Sequence, residues 1–123
     1  MAFKPYRLVD AEFAYMTQFP VTAGKYQIGQ TLAFGSGKLS PHATAPQYMS
    51  MTERTCADGD TIAATPLTAG IIWVAPAPSL LELGGKYKVA SDGLSVMDET
   101  GGVFLVEQSF EENGNFFATG RFV

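Results

Sequence analysis

The stretch Tyr87-Lys-Val-Ala-Ser-Asp-Gly-Leu-Ser-Val-Met97 decides the fold of this chain. Two short β-prone runs, residues 87–90 and residues 94–97, flank the turn Ser91-Asp-Gly93. An Asp-Gly pair adopts the positive φ angles that a tight hairpin turn requires. The stretch therefore predicts an antiparallel β-hairpin.

Similar turn-forming residues separate β-prone runs on both sides of this hairpin. Gly35-Ser-Gly37 follows the β-prone run 30–34, and Glu111-Glu-Asn-Gly114 separates the runs 103–108 and 116–123. Turn signals that recur every 8–12 residues, roughly, are typical of all-β barrels and sandwiches. The 13 glycines and 7 prolines exceed the usual share and exclude a protein built from long helices.

The predicted fold is therefore all-β, a small antiparallel β-barrel or β-sandwich of seven or eight short strands over residues 24–123. Residues 1–23 lack regularly spaced turn signals. They are interpreted as an N-terminal arm, extended or folded into a short helix. Val9, Phe13 and Met16 have helical spacing, with Asp10 as a candidate N-cap. The predicted core comprises Leu32, Phe34, Ile62, Ile72, Trp73, Val89, Val96, Phe104, Val106 and Phe122.

Composition excludes several classes of function. A chain of 123 residues fits one domain, and its net charge of −4 argues against a nucleic-acid surface. No apolar run approaches the roughly 18–20 residues that span a membrane. The start of the chain lacks the apolar core of a signal peptide, so folding in the cytoplasm is expected.

The sequence contains no pattern typical of a catalytic, cofactor or metal site. The sequence has one cysteine, Cys56, which excludes an internal disulfide. It has one histidine, His42, and this scarcity of ligands excludes most metal-site designs. His42 is interpreted as an exposed loop residue and Cys56 as a structural thiol. Gly35-Ser-Gly-Lys38 lacks the spacing of a phosphate-binding loop, and Trp73 is interpreted as a core residue.

The acidic pairs of the sequence are interpreted as residues of solvated turns. Each pair stands near glycine, where Asp and Asn side chains hydrogen-bond their own backbone. A calcium site at the first pair would lack the spaced oxygen series of an EF-hand loop. The pairs are Asp58 and Asp60, Asp98 and Glu99, and Glu111 and Glu112.

The order of strands and loops resembles that of the small capsid decoration (cement) and head proteins of tailed bacteriophages. The likeness covers about residues 24–123 and consists of turns and small motifs. It includes Ile28-Gly-Gln-Thr-Leu-Ala-Phe-Gly-Ser-Gly-Lys-Leu39, Ala45-Pro-Gln-Tyr-Met-Ser-Met51, Ala57-Asp-Gly-Asp-Thr-Ile62, Leu83-Gly-Gly-Lys-Tyr-Lys-Val89 and the final Arg121-Phe122.

The resemblance implies a structural virion protein without enzymatic activity or cofactor, made in the host cytoplasm and attached to the exterior of the phage head. Its partner would be the major capsid protein, and such proteins often form trimers. The N-terminal arm would dock on a neighbouring subunit through aromatic anchors, by adding a strand to a sheet edge. The candidate contact residues are Phe3, Tyr6, Phe13, Tyr15 and Phe19.

Alternatives remain open at this level. For the arm, the alternative is that its aromatic side chains close one open end of the chain's own barrel. For the function, one alternative is another virion component, such as a tail or head-fibre base protein. The number of copies per particle distinguishes such a component from a decoration protein. A non-viral β-barrel that binds a small hydrophobic ligand beside Trp73 is a further alternative, although small barrels fill their interior with side chains. The last alternative is an enzyme that uses Cys56 or His42.

Overall fold

The computed structural model describes residues 2–8, 17–67 and 71–123. These residues form thirteen β-strands and no helix, which confirms the all-β prediction. The strands are β1 (Lys4–Leu8), β2 (Thr17–Pro20), β3 (Gly24–Tyr26), β4 (Thr31–Gly35), β5 (Lys38–Pro41), β6 (Tyr48–Ser50), β7 (Arg54–Cys56), β8 (Thr61–Pro66), β9 (Ile71–Ala77), β10 (Lys86–Val89), β11 (Val96–Thr100), β12 (Phe104–Glu112) and β13 (Asn115–Phe122).

The strands form two main antiparallel sheets and one ribbon. The six-stranded sheet has the order β1-β9-β13-β12-β10-β11, and the five-stranded sheet has the order β2-β8-β6-β4-β5. The two-stranded ribbon pairs β3 with β7. The arrangement is sandwich-like, and over the described residues neither main sheet closes into a barrel.

The structure has more strands than the sequence predicted. Eleven strands, rather than seven or eight, follow residue 23. The ribbon strands β3 and β7 have three residues each and include Lys25, Arg54 and Thr55. Such short polar segments show no apolar alternation, so periodicity does not reveal them.

Two hydrophobic cores hold the layers together. The larger core lies on the six-stranded sheet and receives Met49 from the five-stranded sheet. The smaller core joins the opposite face of the five-stranded sheet to the ribbon through Tyr26 and Cys56. Strand β6 serves both cores, because Met49 packs in the larger and its neighbour Tyr48 packs against the smaller. This is the alternation of faces that a two-residue strand period imposes.

The predicted hairpins are confirmed. Strands β4 and β5 are joined through Ser36 and Gly37, whose φ angles are 53° and 80°. Strands β12 and β13 are joined through Asn113 and Gly114, whose φ angles are 54° and 80°. Positive φ at both central residues matches the twist of antiparallel strands. Residues 87–97 lie in the hairpin β10–β11, with Gly93 at a φ of 76°.

Strand β9 contains a proline and does not end there. The strand continues through Pro76, which lies opposite Phe117 of β13, to Ala77. The pairing of β1 with β9 stops at Lys4 and Val74. Pro76 therefore lies where β9 has only β13 beside it among the described residues, and proline is tolerated at such edges.

The segment set apart as an arm contributes one strand to each main sheet. Strand β1 pairs with β9, and β2 pairs with β8, both antiparallel. The helical spacing of Val9, Phe13 and Met16 falls on residues outside those the structure describes. The described part of residues 1–23 is therefore extended and built into the sheets.

Gly29 allows the N-terminal segment to cross the chain closely. The Phe3 amide donates to the Gly29 carbonyl at 3.1 Å. A Cβ atom added at Gly29 would lie 1.9 Å from the Phe3 carbonyl oxygen, and the φ of Gly29 is +84°. Only glycine meets both conditions without strain.

We expect Gly29→Ala to lower the free energy of unfolding by about 2–4 kcal/mol, because a positive-φ penalty adds to a backbone clash. Gly114→Ala is the matched control, since its φ is +80° and nothing lies within 4 Å of its Cβ position. The control should lose only about 1–2 kcal/mol. Urea unfolding followed by Trp73 fluorescence measures both, and equal losses would contradict the close crossing.

Candidate functional site

Three aromatic side chains form a cluster on the five-stranded sheet, and we call Phe19, Phe34 and Tyr48 the aromatic cluster. The ring centroids of Phe19 and Tyr48 are 4.8 Å apart. Phe34 lies 5.5 Å from each of the other two rings, with its plane nearly perpendicular to both. Such edge-to-face pairs stabilise by about 0.5–1.5 kcal/mol beyond the burial of apolar area.

Curvature of the sheet brings these rings together. Phe19 lies on β2 and Phe34 on β4, three positions apart in the strand order. In a flat sheet that separation would be about 14 Å, because neighbouring strands lie about 4.7–4.9 Å apart. The two sheet edges also approach each other, since Val21 bridges Leu39 of β5 directly after β2 ends. The cluster therefore lies across a concave face.

The cluster is partly open to solvent. The Phe34 side chain is 42% exposed, whereas Phe19 and Tyr48 are partly buried and pack against the smaller core. The backbone at Phe34 is fixed, because its amide donates to Oε1 of Gln47 at 2.9 Å. The result is a rigid aromatic surface whose most exposed ring is supported by the other two.

The five contact residues proposed for the arm have different environments. Phe3 is 1% exposed and packs in the larger core, with its ring 5.5 Å from Phe104 and 5.4 Å from Phe122. Phe19 belongs to the aromatic cluster. Tyr6 lies in β1, and Phe13 and Tyr15 lie outside the described residues.

Phe3 and Phe34 have opposite environments. Phe3 is a candidate contact for which packing on the chain's own body was the alternative, and it is buried in the larger core. Phe34 was predicted as a core residue and is exposed. The other nine predicted core residues are buried. Phe34 directly precedes the turn Gly35-Ser-Gly37, and that position at the end of a strand was the signal for exposure that the prediction overlooked.

The acidic residues that the sequence singled out have structural partners in part. Asp58 pairs with Lys38 at 2.7 Å. Asp60 accepts from the Ala57 amide at 2.9 Å and pairs with Arg54 at 3.3 Å. These contacts fit the predicted turn role. The remaining pairs lie in β11 and at the end of β12 rather than in turns.

Cys56 and His42 have different environments. Cys56 is 5% exposed inside the smaller core, as predicted for a structural thiol. His42 is exposed, and its carbonyl accepts from Oγ1 of Thr31 at 2.6 Å. Among the described residues, no group of three His, Cys, Asp or Glu side chains is placed to hold a metal ion.

Trp73 lies in the larger core and is 1% exposed. Its Nε1 has no hydrogen-bond partner within the described part of the chain. Three cavities of about 410, 190 and 170 Å³ are open at the surface and are lined by other residues. The largest is bounded by apolar side chains that include Leu67, Val103 and Phe122. None of the three is the Trp73 pocket that a ligand-binding barrel would need.

Nothing in the described ranges forms a helix with the length and hydropathy of a membrane span. Comparison with known proteins found no matching family model, no similar curated protein and no similar solved structure.

The two phenylalanines should differ in their contribution to stability. We expect Phe3→Ala to lower the free energy of unfolding by about 3–5 kcal/mol, because it leaves a cavity in the larger core. Phe34→Ala should cost about 1 kcal/mol, because much of that ring is already in water. Urea denaturation measures both changes. A small loss for Phe3→Ala would contradict the placement of the first strand.

Proposed function

We propose that this protein is a non-enzymatic structural component of a virus particle, a capsid decoration (cement) protein that binds the exterior of an assembled phage head and stabilises it. Its partner is the major capsid protein, and it uses no cofactor. The observation that carries the proposal is the aromatic cluster, an exposed and preorganised surface on an all-β scaffold. The resemblance in strand and turn order supplies the identity of the partner.

The aromatic cluster has the properties of an anchor for a protein surface. Aromatic residues are enriched among the few side chains that contribute most of the energy of protein–protein binding. Phe34 contacts both of the other rings, so part of its side-chain freedom is already lost before binding. A partner that covers the exposed part of Phe34 would bury more apolar area without rearranging the sheet.

The sheet edges favour attachment through faces rather than through added strands. Strand β1 contains Pro5 and a register irregularity, and the pairing of β11 is also irregular. Strands β2 and β5 end at Pro20 and Pro41. Prolines and bulges at edge strands oppose pairing with another chain. The proposal therefore replaces strand addition by the arm with side-chain contacts at the aromatic cluster.

The proposal predicts how the purified protein behaves with particles. Heads prepared from a phage stock lacking the gene for this chain should bind the added protein and co-sediment with it at hundreds of copies per particle. Phe34→Ser should weaken this binding by about ten-fold or more, because it removes the exposed anchor. Ile28→Ser is the control, since Ile28 is 52% exposed on another part of the surface.

The copy number separates the outcomes. A few copies per particle would assign the chain to the tail or a fibre base, and no co-sedimentation would refute a role in the virion. Equal loss of binding in the two variants would refute the role of the aromatic cluster while leaving the virion assignment standing. Far-ultraviolet circular dichroism and urea midpoints verify that both variants are folded.

A further inference from the structure

A second exposed surface lies on the loop that joins β9 to β10, and we call residues 78–84 the leucine loop. Leu80 is 59% exposed and Leu83 is 60% exposed, although Leu81 between them is buried in the larger core. They are among the most exposed large apolar side chains of the described residues. The two leucines stand three positions apart in one loop, and each exposes an aliphatic side chain there.

Four hydrogen bonds hold the leucine loop in place. The Ser79 hydroxyl donates to Oδ2 of Asp98 at 3.2 Å, and the Leu81 amide donates to Oγ of Ser109 at 2.9 Å. The Glu82 amide donates to the Tyr87 hydroxyl at 2.9 Å. The Gly84 amide donates to the Val106 carbonyl at 2.7 Å. A loop fixed in this way loses little backbone freedom when a partner covers it.

The charge around the leucine loop is negative. Glu82 lies between the two exposed leucines, and Asp98 is bonded to Ser79. Neither carboxylate forms an ion pair within the described part of the chain. Lys86 follows the loop without pairing to Glu82, and Lys88 is engaged with Glu99 at 2.8 Å. Two carboxylates are therefore left to attract cations from outside the molecule.

We propose that the leucine loop is a docking site for a protein segment that presents aliphatic side chains next to lysines or arginines. The partner's aliphatic groups would cover Leu80 and Leu83, and its cations would pair with Glu82 and Asp98. Charge complementarity sets this partner apart from a second copy of the chain, because two such loops face to face would bring like charges together. The same negative charge would also repel an anionic lipid surface.

This site is distinct from the aromatic cluster and does not rest on the proposed function. The leucine loop belongs to the six-stranded sheet, whereas the aromatic cluster lies on the five-stranded sheet. Loss of binding at one surface is therefore measurable without loss at the other.

A labelled synthetic peptide tests the site directly. The probe is a fluorescein-labelled peptide of about twelve residues, longer than most β-strands, in which the unit leucine-lysine-lysine-leucine is repeated. Fluorescence anisotropy measures its affinity for the wild-type protein. The double variants L80S/L83S and E82Q/D98N should each weaken binding by about ten-fold or more. Rising salt should weaken wild-type binding more than it weakens binding to E82Q/D98N.

Matched controls separate the site from bulk charge and general stickiness. E111Q/E112Q removes two exposed carboxylates at the tip of the β12–β13 hairpin, and Ile28→Ser removes an exposed aliphatic side chain elsewhere. Both controls, and Phe34→Ser, should bind the peptide within about two-fold of wild type.

Three results would overturn the proposal. The first is an unchanged affinity in L80S/L83S, and the second is a loss in E111Q/E112Q equal to that in E82Q/D98N. The third is sedimentation of the protein alone as a dimer that L80S/L83S dissociates, since this would assign the loop to a second copy. Near-ultraviolet circular dichroism confirms that every variant retains its tertiary packing.

Discussion

The packing of the Phe3 ring against Phe104 and Phe122 joins the beginning of the chain to its last two strands. All three side chains are buried, and the Phe104 and Phe122 rings are themselves 5.3 Å apart. This contact lies directly before β1, an edge strand of the six-stranded sheet. The close crossing at Gly29 exists because Phe3 has to reach this core. The N-terminal segment is therefore part of the scaffold over its described residues.

Local chemistry explains which parts of the fold were predictable. Ser36-Gly37 and Asn113-Gly114 define their hairpins through backbone angles that those few residues favour by themselves. The pairing of β1 with β9 and of β2 with β8 has no such local signal, because the partners are distant in sequence. Apolar content identified nine of the ten predicted core residues. Apolar content did not distinguish Phe3 from Phe34, because both are phenylalanines. Their exposure depends on what the folded chain packs against each ring.

The aromatic cluster was predictable only in part, since Phe19 was identified and its neighbours were not. The rings meet because the sheet curls, and curvature is a property of several strands together rather than of any one segment. The leucine loop escaped sequence analysis for a related reason. Leu80, Leu81 and Leu83 are the same residue type, and only the folded loop shows that Leu81 is the one buried in the larger core.

The place of β1 in the sheet has a consequence for biosynthesis. Lys4 pairs with Val74, and β9 in turn lies between β1 and β13, the last strand of the chain. During translation, which proceeds at about 5–20 residues per second, the first strand has no partner until much of the chain has left the ribosome. Phe3 stays in water for that interval. Pairings of this range also slow the search for the native topology, so folding is expected on the millisecond-to-second scale. The early segment that carries Phe3 therefore depends on the late-synthesised strands β12 and β13 to bury its ring.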